Sequence, residues 1–265
     1  MTVYADLLRY RDLFGSLFRR DFQARYKGSA LGVLWSLANP LLLMAVYVVV
    51  FSVLLRVGSS MHDYALYVLV GVAAWVFFST SLTLASRSML DYAPLIRKTR
   101  FPRQLVALSA VATQLVTFAV MLAVLLVLAV VLVPEARDTF WLALPLAVPF
   151  VALTAGLALA LASLNVVFRD VEHLVGAVLL PWFFVTPVLY SFDQIPGAED
   201  HPTLVDVLRW GNPVTPPLEA LRAPLWEGTW PSLGDTVYLV VAGTAALAVG
   251  AWVFGRVDDR IAAEL

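Results

Sequence analysis

Two clusters of cations are the side chains of this 265-residue chain best suited to chemistry: Arg19, Arg20, Arg25 and Lys27 near the start, and Arg97, Lys98, Arg100 and Arg103 further on. Clustered cations suit phosphate, anionic headgroups or an acidic partner. The groups that bond-making chemistry needs are missing. There is no Cys, so Cys-based metal, redox and disulfide sites are excluded. The three histidines, His62, His173 and His201, stand apart, and neither a His-Glu-x-x-His nor a Gly-x-Ser-x-Gly string occurs. Neither of the two lysines, Lys27 and Lys98, ends a Gly-x-x-x-x-Gly-Lys-Ser/Thr loop. The chain therefore does not bind ATP in that manner, and if ATP drives it, the nucleotide site belongs to another polypeptide.

The elements that must position these cations are membrane helices. Hydrophobic residues make up 61% of the chain and charged residues 14%, against about a quarter charged in a soluble domain; the mean hydropathy is +0.83. Six stretches lack Asp, Glu, Lys and Arg: 28–55, 64–86, 104–134, 139–168, 174–192 and 236–255. A hydrocarbon core about 30 Å thick needs ~20 apolar residues as a helix. These lengths predict an all-α membrane protein with spans at 31–56, 65–86, 105–133, 142–167, 173–190 and 236–255. They exclude a soluble enzyme, a secreted disulfide scaffold, a disordered chain, a nucleic-acid-binding domain and a β-barrel, whose strands run ~10 residues with alternating polarity. Residues 1–30 carry six Arg/Lys and no apolar core, unlike a signal peptide.

Six spans put both termini on one side. If that side is the cytoplasm, its segments carry fourteen Arg/Lys and the outer segments four, Arg56, Arg137, Arg209 and Arg222, while acidic residues divide nine to ten. Only the cations are biased, as the positive-inside rule requires. The domain plan is an interface segment, 1–30, and one six-span domain, 31–265.

Three segments are not simple spans. Residues 6–20 form an amphipathic pattern, with Leu7, Tyr10, Phe14, Leu17 and Phe18 within an arc of about 100° and Arg9, Asp12, Arg19 and Arg20 opposite. Arg11, Asp21 and Arg25 break the face, which ends the pattern near residue 20. Such a helix is a membrane-surface anchor or a docking surface for a cytoplasmic partner. Residues 87–103 surround Leu95 and Ile96 with Asp91, Arg97, Lys98, Arg100 and Arg103. They form an ordinary positive-inside link, or a short helix opened by Pro94 whose apolar tip enters a groove on another protein. Residues 191–235 form a long outer loop. In it Thr203 can cap a helix over 204–210 and Thr215 a helix over 216–225; Trp210, Trp226 and Trp230 sit at the helix ends. The loop packs on the outer surface or forms a re-entrant lid.

The span interiors hold no Asp, Glu, Lys, Arg or His, and Asn39 and Asn165 are their strongest polar groups. No proton relay is evident, which argues against an ion-coupled carrier. Pro40, Pro145, Pro149, Pro181 and Pro187 lie in the spans as possible kinks. Gly156 with Ala160, and Ala158 with Ala162, form small-residue packing faces.

The N-terminal edge, Arg19-Arg20-Asp21-Phe22-Gln23-Ala24-Arg25-Tyr26-Lys27-Gly28-Ser29-Ala30-Leu31-Gly32-Val33-Leu34-Trp35 with Asn39-Pro40, resembles the opening signature of the permeases of ABC-type polysaccharide exporters. Leu95-Ile96-Arg97-Lys98 with Phe101-Pro102-Arg103 resembles that family's first cytoplasmic link. Asn165-Val166-Val167-Phe168-Arg169-Asp170-Val171 is similar to its turn between spans four and five. Pro187-Val188-Leu189-Tyr190 and Asn212-Pro213 with Arg222 are similar to its outer-gate region. The segments occur in the family's order along the whole chain.

The resemblance implies a homodimer of six-span subunits in a bacterial inner membrane, docked on two copies of a cytoplasmic ABC ATPase that holds the ATP and Mg. The cargo it implies is a polyprenyl-diphosphate-linked glycan, such as O-antigen or teichoic acid. Docking candidates are then Phe14, Phe18, Asp91, Leu95, Ile96, Arg97, Lys98, Arg169 and Asp170. Arg25 and Lys27 are candidates for the lipid diphosphate. Tyr47, Phe51, Trp182, Phe183 and Tyr190 are candidates to stack on sugars, although aromatics in spans more often pack. Trp210, Asn212, Pro213 and Arg222 are outer-gate candidates. The alternatives are an exporter of drugs or small lipids on the same plan and a membrane scaffold without transport.

Overall fold

A computed structural model of the chain describes residues 9–26, 62–99, 101–195, 197 and 200–264, together with residues 38, 42, 45, 46, 49 and 50. Most of the expected first span, 31–56, lies outside these residues, as do Lys27, Tyr47 and Phe51; so does the side chain of Arg25.

Among the described residues all regular structure is helical. The elements are α1 (Arg11–Tyr26), α2 (Tyr64–Asp91), α3 (Ala93–Lys98), α4 (Gln104–Leu132), α5 (Ala143–Val167), α6 (Val171–Val185), α7 (Pro202–Trp210), α8 (Thr215–Arg222) and α9 (Leu233–Glu264). The turns Pro134–Asp138 and Phe140–Leu142 join α4 to α5, and a π-helical turn, Ala223–Glu227, continues α8. Among the described residues four helices, α2, α4, α5 and α9, are long and apolar enough to cross a membrane. Their lengths follow the charge-free stretches of the sequence, because a helix satisfies its own backbone where no water is present.

The expected fifth span differs. Its helix ends at Val185 rather than at residue 190. Fifteen residues reach only about 22 Å, short of the ~30 Å core. The stop lies in Pro187, since a residue before proline is driven from the helical to the extended region. Thr186 is extended there, with φ −85° and ψ 132°. The last helix is longer than expected and runs through Arg256 and Asp258 to Glu264. At that end Arg103 donates to the Asp258 carboxylate at 2.8 Å and to its carbonyl at 2.7 Å.

The N-terminal helix also continues past residue 20, to Tyr26, and Asp21 lies within it. In the outer loop α7 and α8 occupy the two segments expected to be helical. However, neither Thr203 nor Thr215 caps: His201 and Val214 hold the cap positions, with no side-chain hydrogen bond. Prolines in the first turns fix the starts instead, Pro202 in α7 and Pro216 and Pro217 in α8. The two helices differ in burial, since α7 has no buried residue and α8 is buried along nearly its whole length.

Two clusters of buried side chains hold the bundle. The larger lies at membrane depth, where Phe77, Phe118 and Phe150 bring α2, α4 and α5 together with ring centroids 4.8 to 6.1 Å apart. The second gathers Leu17, Met89, Tyr92, Ile96, Leu105, Val166 and Phe254 at the cation-rich end. The closest helix pair is α5 with α9. Gly156 meets Ala246 and Gly250 backbone to backbone, and Gly243 lies against the Pro149 carbonyl. Between helices in lipid, attraction comes from such close packing, which a side chain at these glycines removes.

A Gly156→Leu variant should therefore lose roughly 1–3 kcal/mol through overpacking, read as a lower melting temperature in detergent. Gly255, with open space around it, is the control. Gly255→Ala should be neutral or stabilising by up to about 1 kcal/mol.

Candidate functional site

At the cation-rich end one carboxylate joins three elements. Asp21 on α1 accepts a hydrogen bond from the Tyr92 hydroxyl, at the corner between α2 and α3, and lies 2.9 Å from Ser109 Oγ on α4, which divides its single hydrogen between Asp21 and the Val106 carbonyl, also at 2.9 Å. The Arg20 guanidinium lies 4.1 Å from the centroid of the Tyr92 ring. Burial, and then the bond to Asp21, push the Tyr92 phenol above its ordinary value. It stays protonated at physiological pH and remains a donor.

The short helix α3 carries Pro94 in its first turn and exposes Arg97 and Lys98 in its last. Leu95 is half-buried. Ile96 is buried in this chain's own inner cluster, so it anchors α3 from within. Phe14 and Phe18 are half-buried, and Phe18 stacks on Phe22 at 5.8 Å. Asp91, Arg169 and Asp170 are exposed. Behind the last two, Asn165 Oδ1 accepts the Glu172 backbone N–H at 2.9 Å, satisfying a free donor at the start of α6. Arg87 on α2 pairs with Glu172 at 3.8 Å.

Between these inner ties and the outer end runs a polar wall. Ser79, Thr80 and Thr83 form one stripe on α2 and line a cavity of about 500 Å³ with Gly176, Leu180 and Phe183 of α6. Thr80 donates to the Val76 carbonyl at 2.5 Å and Thr83 to that of Ser79 at 2.9 Å. Each hydroxyl is thereby tolerated in the membrane and still offers acceptor lone pairs. Phe183 rests on Trp75 at 5.5 Å.

At the opposite end, the outer one on the topology expected from the cation bias, Arg222 is completely buried on α8. The two hydrogens of its Nη1 are shared among Tyr67 Oη at 2.8 Å, the Pro187 carbonyl at 2.6 Å and Glu219 Oε1 at 2.9 Å; its Nη2 donates to the Val188 carbonyl at 2.8 Å. The guanidinium carbon lies 3.6 Å from the Tyr67 ring centroid. Tyr67 donates in turn to the Tyr190 carbonyl at 2.6 Å, and Tyr64 to that of Leu189 at 2.7 Å. Residues 187–190, which leave the helix at Pro187, thus find partners for carbonyls that would otherwise lie orphaned. Gly71 makes room, because a Cβ there would sit 2.6 Å from Nη2 of Arg222.

Asn212 completes this end. It accepts from Trp182 Nε1 at 2.9 Å and from the Val214 N–H at 3.1 Å, and donates to Thr186 Oγ1 at 2.9 Å. Trp182 is therefore engaged in packing and hydrogen bonding, edge-on to Phe78 at 5.4 Å. The Tyr190 hydroxyl turns back to the Phe184 carbonyl at 2.9 Å. Trp210 pairs with Tyr238 at 5.8 Å on the outer surface, and Pro213 is half-buried.

The structure thus brings Asn212, Trp182 and Arg222 into one outer network and leaves Trp210 beside it. The sequence reading missed Tyr64, Tyr67 and Gly71, and took Asp21 as a break in the α1 face. The signal for Asp21 was present: four residues after Leu17 and seven after Phe14, it falls on the buried stripe.

Arg222→Met should cost about 3–5 kcal/mol, because it strands Glu219 and the 187–188 carbonyls, seen as a large fall in melting temperature. Burial raises the Glu219 carboxyl above its ordinary 4.5, and Arg222 beside it opposes this only in part. The stability linked to Glu219 is full below that value and is lost as pH climbs through the raised one. Melting temperature should fall across that window, and Glu219→Gln should flatten the fall. At the inner end a double-mutant cycle on Asp21→Asn and Tyr92→Phe should show a coupling of about 1.5–3 kcal/mol.

Residues 12–226 match the ABC-2 type transporter family. The chain is also 34% identical over 256 residues to the O-antigen export system permease protein RfbA of Myxococcus xanthus, covering 96% of this chain and 95% of that one. The RfbA permease of Klebsiella pneumoniae is 34% identical over 186 residues, with 70% and 71% covered. A short apolar helix that stops at Val185, a short cation-tipped helix at one end and a buried arginine clasp at the other are therefore features of a multi-pass membrane protein that belongs to the ABC-2 type transporter family.

Proposed function

We propose that this chain is the permease subunit of an ATP-driven exporter that moves a lipid-linked polysaccharide outward across the bacterial inner membrane. The observation that carries this reading is its likeness, over nearly the full length of both chains, to a permease named for O-antigen export. The hydroxyl stripe Ser79, Thr80 and Thr83 supports it, as a wall compatible with a hydrated polymer in an otherwise apolar bundle.

In this reading six spans place both termini in the cytoplasm, and residues 1–30 precede one domain, 31–265. Two copies of the chain form the conduit. The sparse burial of α6, with only Val175 and Phe183 buried, leaves a face for the second copy. Two copies of a separate cytoplasmic ATPase supply the energy from ATP and Mg, because this chain has no phosphate-binding loop.

The chain's own residues transmit and guide the motion. Exposed Arg97 and Lys98, with Pro94 and the half-buried Leu95, present α3 to the ATPase; Asp91, Phe14, Phe18, Arg169 and Asp170 flank that surface. Ile96 and the Asp21–Tyr92 bond carry a displacement of α3 into α1, α2 and α4 as one body. Arg25 and Lys27 suit the lipid diphosphate on the inner side. Outside, α8 and the Asn212–Arg222 network form the gate around residues 186–190.

Reversing Arg97 and Lys98 to Glu tests the docking role. Insertion and melting temperature should be unchanged, while glycan export and stimulation of the ATPase by the permease should fall at least tenfold. Normal export by the double variant would contradict the assignment.

A further inference from the structure

A second cavity, of about 250 Å³, lies at the inner end among α1, α2 and α4, and its lining includes Asp21, Leu84, Ser88, Asp91, Thr113 and Gln114. Gln114 is the anomaly. It is 2% exposed, and its Nε2 has no hydrogen-bond partner. Its Oε1 lies 3.3 Å from Thr80 Oγ1, whose single hydrogen goes to the Val76 carbonyl at 2.5 Å. Turning the amide over would give Nε2 the Thr80 oxygen and strand Oε1 instead. Either orientation leaves one end of a buried amide unmet, a costly condition that calls for a missing partner.

We propose that this cavity is a sugar subsite that receives units of the glycan as they enter the conduit; the inference rests on the polysaccharide-export reading above. A hydroxyl both donates and accepts, so it satisfies Gln114 in either orientation. Asp91 has no hydrogen-bond or ion-pair partner among the described residues, and Asp21 keeps lone pairs beyond its two bonds, so both carboxylates can accept sugar hydroxyls. Leu84 offers an apolar surface for a ring face. Its two carboxylates favour neutral hydroxyls over a diphosphate, which the cations Arg25 and Lys27 suit better. An amide donor does not suit a metal ion, and no group of three metal-ligating acids or histidines occurs among the described residues.

Position supports the same occupant. Gln114 lies ten residues into α4, about 15 Å from its inner end. Thr80, its neighbour, also lines the polar wall, and Leu84 lines both cavities. The subsite thus adjoins the stripe that would carry the polymer outward, with Leu84 and the Thr80–Gln114 contact between them.

The test uses the complex of this chain with its ATPase in phosphatidylethanolamine–phosphatidylglycerol vesicles loaded with lipid-linked glycan. Gln114→Leu removes the stranded amide, so a purely structural amide predicts an equal or higher melting temperature and unchanged export. The subsite predicts the same melting temperature or higher, with export reduced about tenfold. Thr113→Val, which changes one lining hydroxyl at constant shape, should lower export several-fold if Gln114→Leu folds poorly. A benzophenone amino acid placed at position 91, at 83 on the wall and at the lipid-facing Val127 reports the path. Glycan captured at 91 and 83 but not at 127 supports the subsite. Wild-type export by both variants, or capture at 91 of phospholipid alone, overturns it while capture at 83 keeps the export reading. Glycan captured at none of the three sites would overturn that reading as well.

Discussion

The inner end of this protein depends on one shared carboxylate. Asp21 accepts from Tyr92 and from Ser109 and so fastens an interface helix to the corner that bears α3 and to the start of α4. A phenol donating to a carboxylate is among the stronger hydrogen bonds available, and burial keeps the phenol in its donor form. Because Ile96 is held in the same cluster, α3 is tied to α1, α2 and α4. The mechanical role proposed for α3 rests on how it is held as much as on what it exposes.

The outer end answers a different constraint. A helix that stops inside the membrane exposes carbonyls that lipid cannot satisfy. Pro187 forces that stop, and Arg222, Tyr67 and Tyr64 supply the donors that make it tolerable. The charge of Arg222 is admissible at zero exposure because Glu219, two carbonyls and an aromatic face surround it. Breaking α6 and burying an arginine are two halves of one solution. The result is a firm joint between α8 and residues 187–190.

The long spans were legible in the sequence because membrane helices follow directly from charge-free length. Pro94, Pro216 and Pro217 were legible as helix starts because proline suits a first turn, whereas Pro202 was passed over in favour of a Thr203 cap that does not form. The fifth helix was misjudged by counting apolar residues through Pro187, where backbone sterics outrank hydropathy. Asp21 was read as an interruption of an apolar stripe, and its meaning appears only once Tyr92, 71 residues away, is seen to face it. Arg222 stood out as a charge in the gate region, yet Tyr67, 155 residues distant, could not be linked to it by pattern. Local periodicity finds elements; the polar contacts that tie those elements together join residues far apart in the chain.

The central claim is that this chain is a conduit whose energy comes from a separate ATPase. It is tested most directly by measuring transfer of a lipid-linked glycan to the outer leaflet of vesicles holding the purified chain with and without the ATPase. The account predicts transfer only when both proteins and ATP are present. Uphill transfer by the chain alone, or ATP-driven transfer with no ATPase bound to it, would contradict the account.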